Sequence, residues 1–244
     1  MIKNIFLDAG YTLVYTVTKA QSWLYPVNFY DFMNEEVFLK ISKSEEYKKA
    51  FAEGYQYLDD NHLLKDENDE YNVFVEFYKM ALLPFPELEI NGEKIKKIAE
   101  SMVFDYDKMA IYPDVKDMLN KWQTEGYKLG IISDTFPSLV NIFKNLEIYD
   151  YFDVFVMSSD YGVFKPHEIM YLSALEPLNA KGEESIFVDD FADNLKGAEK
   201  FSIKPVQIVR KDNSFSKQFN KPEDEIYPKF ENLIEIDNYI KGEL

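Results

Sequence analysis

Four short stretches hold the residues best suited to chemistry. The first is Ile5-Phe6-Leu7-Asp8-Ala9-Gly10-Tyr11-Thr12, an apolar run that ends abruptly in a carboxylate and a Gly-containing turn. It reads as a buried strand that delivers Asp8 to its C-terminal end, and in open α/β sheets ligands bind in the crevice beyond the carboxyl ends of the strands. An Asp that merely opens a turn would look the same. The second, Ser133-Asp134-Thr135, follows the apolar run Leu129-Gly130-Ile131-Ile132. Its hydroxyl and backbone N–H groups can bind a phosphate oxygen, or the same residues can cap a helix. The third, Lys165-Pro166, precedes a helical pattern, where Pro suits the first turn and Lys is ordinarily a solvated charge. The fourth, Ile186-Phe187-Val188-Asp189-Asp190, ends a buried strand in two adjacent acids, which repel unless a cation or an ammonium offsets them. A hard metal ion would do so; a solvated acidic turn is the alternative.

Composition bounds what this chemistry can be. The chain has 244 residues, 46% of them hydrophobic and 29% charged, which suits an ordinary globular protein with a substantial core. A formal net charge of -17 argues against nucleic acid or an anionic membrane as a partner, since both need a basic footprint. An anionic small molecule is still compatible, because local groups hold it and salt screens exposed charges beyond about 10 Å. Cysteine is absent and histidine occurs twice, so thiolate chemistry is excluded and a metal would be a hard ion held by oxygens. No apolar stretch of signal-peptide length precedes Asp8 and no transmembrane-length run follows, so a cytoplasmic location is expected. Oligomeric state is left open.

The elements that must position these residues follow from periodicity. From about Thr18 to Met109 the chain is rich in Tyr, Phe, Glu and Lys at helical spacings, which predicts a helical insertion. Its clearest helix spans Glu93 to Met109, with Ile95, Ile98, Ala99 and Met102 on one apolar stripe. Most aromatics of the insertion are expected to be core. Pro113 and Asp114 open a helix that Gly126 closes. Next come a strand at Lys128 to Ile132, a helix near Pro137, a strand at Val154 to Met157 and a helix after Pro166. Strand Ser185 to Val188, helix Asp193 to Phe201 and strand Pro205 to Val209 complete the pattern. Strands alternating with helices imply a parallel sheet with right-handed crossovers. The polar stretch Lys211 to Lys229, with Pro222 and Pro228, is expected to be an exposed connection.

In order and context the four stretches resemble the motifs of the haloacid dehalogenase-like (HAD) superfamily, over almost the whole chain. The first motif matches at Asp8 and Thr12, the second at Ser133, the third at Lys165 and the fourth at Asp189, Asp190 and Asn194. The resemblance implies an α/β fold, a Rossmann-like parallel sheet flanked by helices (1–17 and 110–244), with an inserted all-helical cap (18–109) that covers the site and chooses the substrate. It implies a phosphatase or phosphotransferase acting on a small phosphorylated metabolite. Asp8 would form an aspartyl-phosphate, with Mg²⁺ on Asp8, Asp190 and the Gly10 carbonyl. Ser133 and Asp134 would contact the phosphoryl group, Thr12 would complete the catalytic set, and Lys165 would neutralise charge and pair with Asp189, with Asn194 in support.

One departure stands out. Family phosphatases carry a second Asp two residues after the nucleophile, as acid and then base, whereas this chain has Gly10. His62 in the insertion could replace it, though a surface role is expected. His167 is expected at a helix start. Tyr11 could face the site, but a pKa of about 10 makes it a poor base. A 2-haloacid dehalogenase would also lack the second Asp, but those enzymes use an arginine near the cap and lack the paired acids. Arg210 is the one arginine of this chain and lies outside the insertion. A catalytically impaired protein that binds a phosphorylated ligand is the third reading.

Overall fold

Residues 1–20, 22–211 and 227–242 are described by the computed structural model. In chain order the elements are β1 (Asn4–Leu7), β2 (Val14–Thr16), α1 (Glu35–Ile41), α2 (Glu45–Asp60), α3 (Glu67–Leu82), α4 (Gly92–Phe104), β3 (Met109–Ile111), α5 (Val115–Thr124) and β4 (Lys128–Ser133). They continue with α6 (Leu139–Asn145), β5 (Val154–Met157), α7 (Ser158–Tyr161), α8 (Glu168–Leu175), β6 (Ser185–Asp189), α9 (Ala192–Glu199), β7 (Lys204–Ile208), β8 (Lys229–Phe230) and α10 (Leu233–Lys241). Two compact units result. One contains Met1–Tyr15, Ile111–Thr135 and the chain from Leu146 onward; the other contains Thr16–Ala110 and Phe136–Asn145.

The first unit is an α/β domain. Its sheet runs β5-β4-β1-β6-β7-β8, with every adjacent pair parallel. All four residues of β1 and all five of β6 are buried, so these strands read as unbroken runs rather than alternations. Phe6, Ile132, Val156, Met170, Tyr171, Phe187 and Leu195 form one apolar core. Each side chain of this kind contributes roughly 1.5–3 kcal/mol by leaving water. The chain visits β4 and β5 on one side of β1 and then returns to β6 and β7 on the other. That reversal places the ligand crevice of an open sheet at the C-terminal end of β1.

The second unit is helical. Its core gathers Phe29, Phe38, Tyr47, Phe74, Phe77 and Tyr78, together with Ile95, Ile98, Ala99 and Met102 of the α4 stripe. Ser44, Asp66 and Asn91 cap α2, α3 and α4 by accepting from main-chain N–H groups. Tyr25, one of the aromatics of the insertion, is core, its hydroxyl 2.7 Å from that of Tyr47. No helix of the described residues is long and apolar enough to cross a membrane.

The structure differs from the sequence reading in several places. The helix drawn to Met109 stops at Phe104, and Met109 starts β3. The sequence reading places residues 136–145 with the sheet. They pack instead among the helices, because Phe136 meets His62 at 5.0 Å and Phe74 at 5.0 Å while Glu70 accepts from Ser138 N and Oγ at 2.7 Å each. His62 is not a surface residue but 3% exposed, with its ring edge against Phe136. His167 does cap a helix, accepting from Ile169 N at the start of α8. Of the expected connection from Lys211 to Lys229, residues 212–226, Pro222 among them, lie outside the described residues, and Lys229 belongs to β8. The terminal helix α10, absent from the sequence reading, docks through Asp237, which accepts from the buried Trp122 Nε1 at 2.8 Å.

Candidate active site

The register of the sheet aligns the candidate residues before any side chain is considered. Leu7 pairs with Ile131 on one side and Val188 on the other. Asp8 therefore emerges level with Ile132 and Asp189, and Ser133 and Asp190 follow one residue later. Asp8 N donates to Val188 O at 2.9 Å, which extends the ladder to the carboxylate itself. The chain then turns tightly: Leu13 N and Val14 N both donate to Ala9 O, Tyr11 N donates to Val14 O at 2.7 Å, and Tyr11 takes a left-handed φ of +53°. A non-glycine residue in that region is uncommon and marks a turn held by its surroundings. Thr12, inside this turn, is fully buried, and its Oγ1 meets no hydrogen-bond partner among the described residues.

Lys165 joins the strands electrostatically. Its ammonium donates to Asp8 Oδ1 at 2.7 Å, to Asp189 Oδ2 at 2.7 Å and to Ile132 O at 3.1 Å, which uses all three donors. Burial alone would lower its pKa, but Asp189, Asp8 and Asp134 outweigh that cost and hold the ammonium well above the ordinary range. Asp189 further accepts from Phe191 N at 2.7 Å and Asn194 Nδ2 at 3.0 Å, and burial pushes its carboxyl upward against the pull of Lys165. Lys165 Nζ also lies 5.4 Å from the centre of the Phe187 ring. Asp134 turns its carboxylate to the lysine main chain, accepting from Lys165 N at 2.9 Å. Thr135 N is taken by Ser158 Oγ at 2.8 Å, so that N–H is not open to a ligand. Ser133 is the buried last residue of β4. Asp190 is 2% exposed, and its carbonyl accepts from Gln207 Nε2 at 3.0 Å. Tyr11, raised first by burial and then by Asp190, is a still poorer base than expected.

A family profile described as a haloacid dehalogenase-like hydrolase matches residues 2–201. The chain belongs to the HAD-like hydrolases. Among its relatives, a glyceraldehyde 3-phosphate phosphatase of Methanocaldococcus jannaschii is 25% identical over 193 residues, 72% of this chain and 80% of that protein. An (S)-2-haloacid dehalogenase 4A of Burkholderia cepacia is 28% identical over 137 residues, 56% of this chain, which spans 56% of that relative's length. The crystal structure of a HAD phosphatase from Thermococcus onnurineus superposes with a TM-score of 0.64 at 21% identity, covering 99% of this chain and 98% of that one. At that identity the likeness shows the fold alone.

In this HAD-like hydrolase the donor set suits a hard divalent cation. Asp8 and Asp189 share one buried ammonium, the buried Asp190 follows Asp189 in the chain, and each of these side chains offers only oxygen. No group of three or more Asp, Glu, His or Cys side chains is arranged as a metal cage among the described residues. Mg²⁺ needs no such cage, since it commonly uses one or two carboxylates and keeps water or substrate oxygens for the rest. Asp8 has room for a second partner: Lys165 engages Oδ1, and Oδ2 accepts no hydrogen bond from a described residue.

Proposed function

We propose that this HAD-like hydrolase is a Mg²⁺-dependent phosphatase or phosphotransferase that acts on a small phosphorylated metabolite through an aspartyl-phosphate on Asp8. The observation that carries this reading is the shared ammonium of Lys165, which fixes Asp8 Oδ1 and Asp189 Oδ2 at 2.7 Å each and leaves Asp8 Oδ2 as the open oxygen. Asp8 Oδ2 attacks phosphorus, the ester P–O bond breaks, and the leaving oxygen takes a proton from water. A second water then attacks phosphorus, releasing inorganic phosphate and restoring the carboxylate, so one displacement becomes two. Phosphoryl transfer depends mainly on positioning and charge stabilisation, which Lys165 and the Ser133 hydroxyl supply. Mg²⁺ on Asp8, Asp190 and the Gly10 carbonyl would neutralise the phosphoryl oxygens.

Within this reading Asp189 and Asn194 orient Lys165. Asp134 anchors the lysine main chain, and Thr12 supports the turn from a fully enclosed position rather than touching substrate. The helical unit is assigned the choice of substrate, and the cytoplasm is taken as the setting. The relative named as a phosphatase supports the reaction class.

A dehalogenase reading has its own support in the relative named for that activity. Against it, Arg210 is committed elsewhere, donating to Thr12 O and to both oxygens of Asp114. It has no fork left for a substrate carboxylate. The test is a panel of phosphate esters assayed with Mg²⁺ and with EDTA, beside a 2-haloacid assayed for halide. Metal-dependent phosphate release that vanishes in Asp8→Asn is expected. Halide release without metal would establish the dehalogenase instead, and ligand affinity without turnover would establish a binding protein.

A further inference from the structure

Arg210 is 4% exposed and joins three segments of the α/β unit that are distant in sequence. Its Nε and Nη2 donate to the main-chain carbonyl of Thr12 at 3.1 and 2.8 Å. Its Nη1 donates to both carboxylate oxygens of Asp114 at 2.8 and 2.9 Å, and its guanidinium carbon lies 4.2 Å from the centre of the Tyr112 ring. Asp114 Oδ2 also accepts from Leu233 N at 2.7 Å, at the start of α10. Tyr112 N in turn donates to Leu13 O at 3.1 Å, and the Tyr112 and Tyr15 rings stand 4.9 Å apart. Thr12 and Leu13 belong to the turn that follows Asp8. Tyr112 and Asp114 belong to the segment by which the chain re-enters the α/β unit from the helical insertion.

The turn after Asp8 is closed by its own bonds to Ala9 O and Val14 O, and those bonds leave the Thr12 carbonyl to other donors. Among the described residues the Thr12 hydroxyl has no partner, so the residue is fixed through its carbonyl, to which Arg210 alone of those residues donates. A buried acceptor stripped of its donors costs enough to drive rearrangement of a turn that already carries a left-handed tyrosine. Two N–H groups on one oxygen, two bonds to one carboxylate and a ring against the plane together require the flat guanidinium fork, which lysine lacks.

We propose that Arg210 is a positioning residue that locks the Asp8 turn to the re-entry segment Tyr112–Asp114 and so sets the angle of the nucleophile. This rests on the assignment of Asp8 as nucleophile. The test uses the full chain with Arg210→Lys, Arg210→Met and Asp114→Asn. Amide hydrogen exchange is followed over residues 8–15 and 110–116, with β6 as the internal reference, and kcat and KM are measured for p-nitrophenyl phosphate with Mg²⁺. The expected result is faster exchange at Tyr11, Leu13, Val14 and Tyr112 with β6 unchanged, and a kcat lower by about 10²-fold at nearly constant KM, the scale of a misplaced reacting group. Arg210→Lys should behave like Arg210→Met. Wild-type exchange and kcat in a folded Arg210 variant would overturn the proposal, as would faster exchange throughout β6, which would reduce Arg210 to general stability. Should the Arg210 variants not fold, Asp114→Asn decides by the same two measurements, since it preserves side-chain volume and withdraws the charge partner. A wild type that turns over neither p-nitrophenyl phosphate nor any ester of the phosphate panel refutes the proposed phosphatase, while the exchange measurement still decides whether the lock exists.

Discussion

In the proposed reaction Gly10 offers no proton to a leaving group, yet a Cβ at this position would meet no atom of the described residues within 4 Å. Without an acid, the departing oxygen must leave nearly as an anion, so hydrolysis should depend steeply on the acidity of the leaving group, aryl phosphates far outpacing alkyl phosphates. Gly10→Asp should raise the rate on alkyl phosphates by up to the roughly 10²- to 10⁴-fold that general acid–base catalysis contributes, and should flatten the leaving-group dependence. A plot of rate against leaving-group pKa checks both, and an unchanged slope would mean that another residue already donates. His62 is a poor candidate, because burial lowers its pKa to about 4 and leaves it neutral near pH 7. A second residue-scale prediction concerns Glu70. Burial raises its pKa to about 7 from 4.5, with Lys108 and the Ser138 hydrogen bonds opposing. The folded state therefore holds a proton that the unfolded state has released, and stability falls as pH rises from 4.5 to about 7. Glu70→Gln can accept from Ser138 N and donate to Ser138 Oγ. Thermal unfolding across that window should show a shallower decline in Glu70→Gln than in the wild type, and parallel curves would contradict the assignment.

The strands were the most legible elements, because in this sheet an apolar run ends where the chain meets the crevice. Leu7 to Asp8, Ile132 to Ser133 and Val188 to Asp189 each mark that boundary in the sequence. The resemblance to a known family then joined Lys165 to Asp189, a pairing that no local pattern contains, since the two residues meet only through the fold. What stayed hidden has the same physical origin. Phe136 and Ser138 follow a strand and look like the start of a sheet-covering helix, and only contacts distant in sequence, His62 and Phe74 on Phe136 and Glu70 on Ser138, draw them among the helices. The apolar spacing of α4 continues past Phe104, so periodicity overran the true end. Arg210 is a single charged residue after a strand, with nothing local to show that it reaches Thr12. Gly130 shows how tightly the element carrying Ser133 is built: a Cβ there would lie 2.6 Å from Val154 Cγ1 and 2.8 Å from Phe6 Cδ1. Gly130→Ala should destabilise the α/β unit by about 1–3 kcal/mol, the usual cost of overpacking. Gly92→Ala, where nothing lies within 4 Å, should cost far less. Denaturant midpoints of the two variants provide the comparison, and equal shifts would show that the sheet relaxes around the added methyl.

Across the whole molecule the acidic balance and the proposed metal act on the same carboxylates. A net charge of -17 makes the folded chain repel itself and concentrates cations around it. Any salt should therefore raise its stability somewhat by screening. A specific Mg²⁺ site should do more, because a ligand that binds only the folded state stabilises by about 2.7 kcal/mol at a concentration 100 times its Kd. Asp190 separates the two effects. Without divalent ions, Asp190→Asn removes a buried carboxylate next to Asp189, whose own charge the Lys165 ammonium already meets, so it should melt at or above the wild-type temperature. In saturating Mg²⁺ the order should reverse, since the wild type gains the full binding energy while the variant has lost a ligand. Melting curves in EDTA, in MgCl2 and in NaCl of equal ionic strength test this crossing. If Mg²⁺ and NaCl shift both proteins equally, the ion merely screens, and the excess charge around Asp8 must be met by substrate or protons instead.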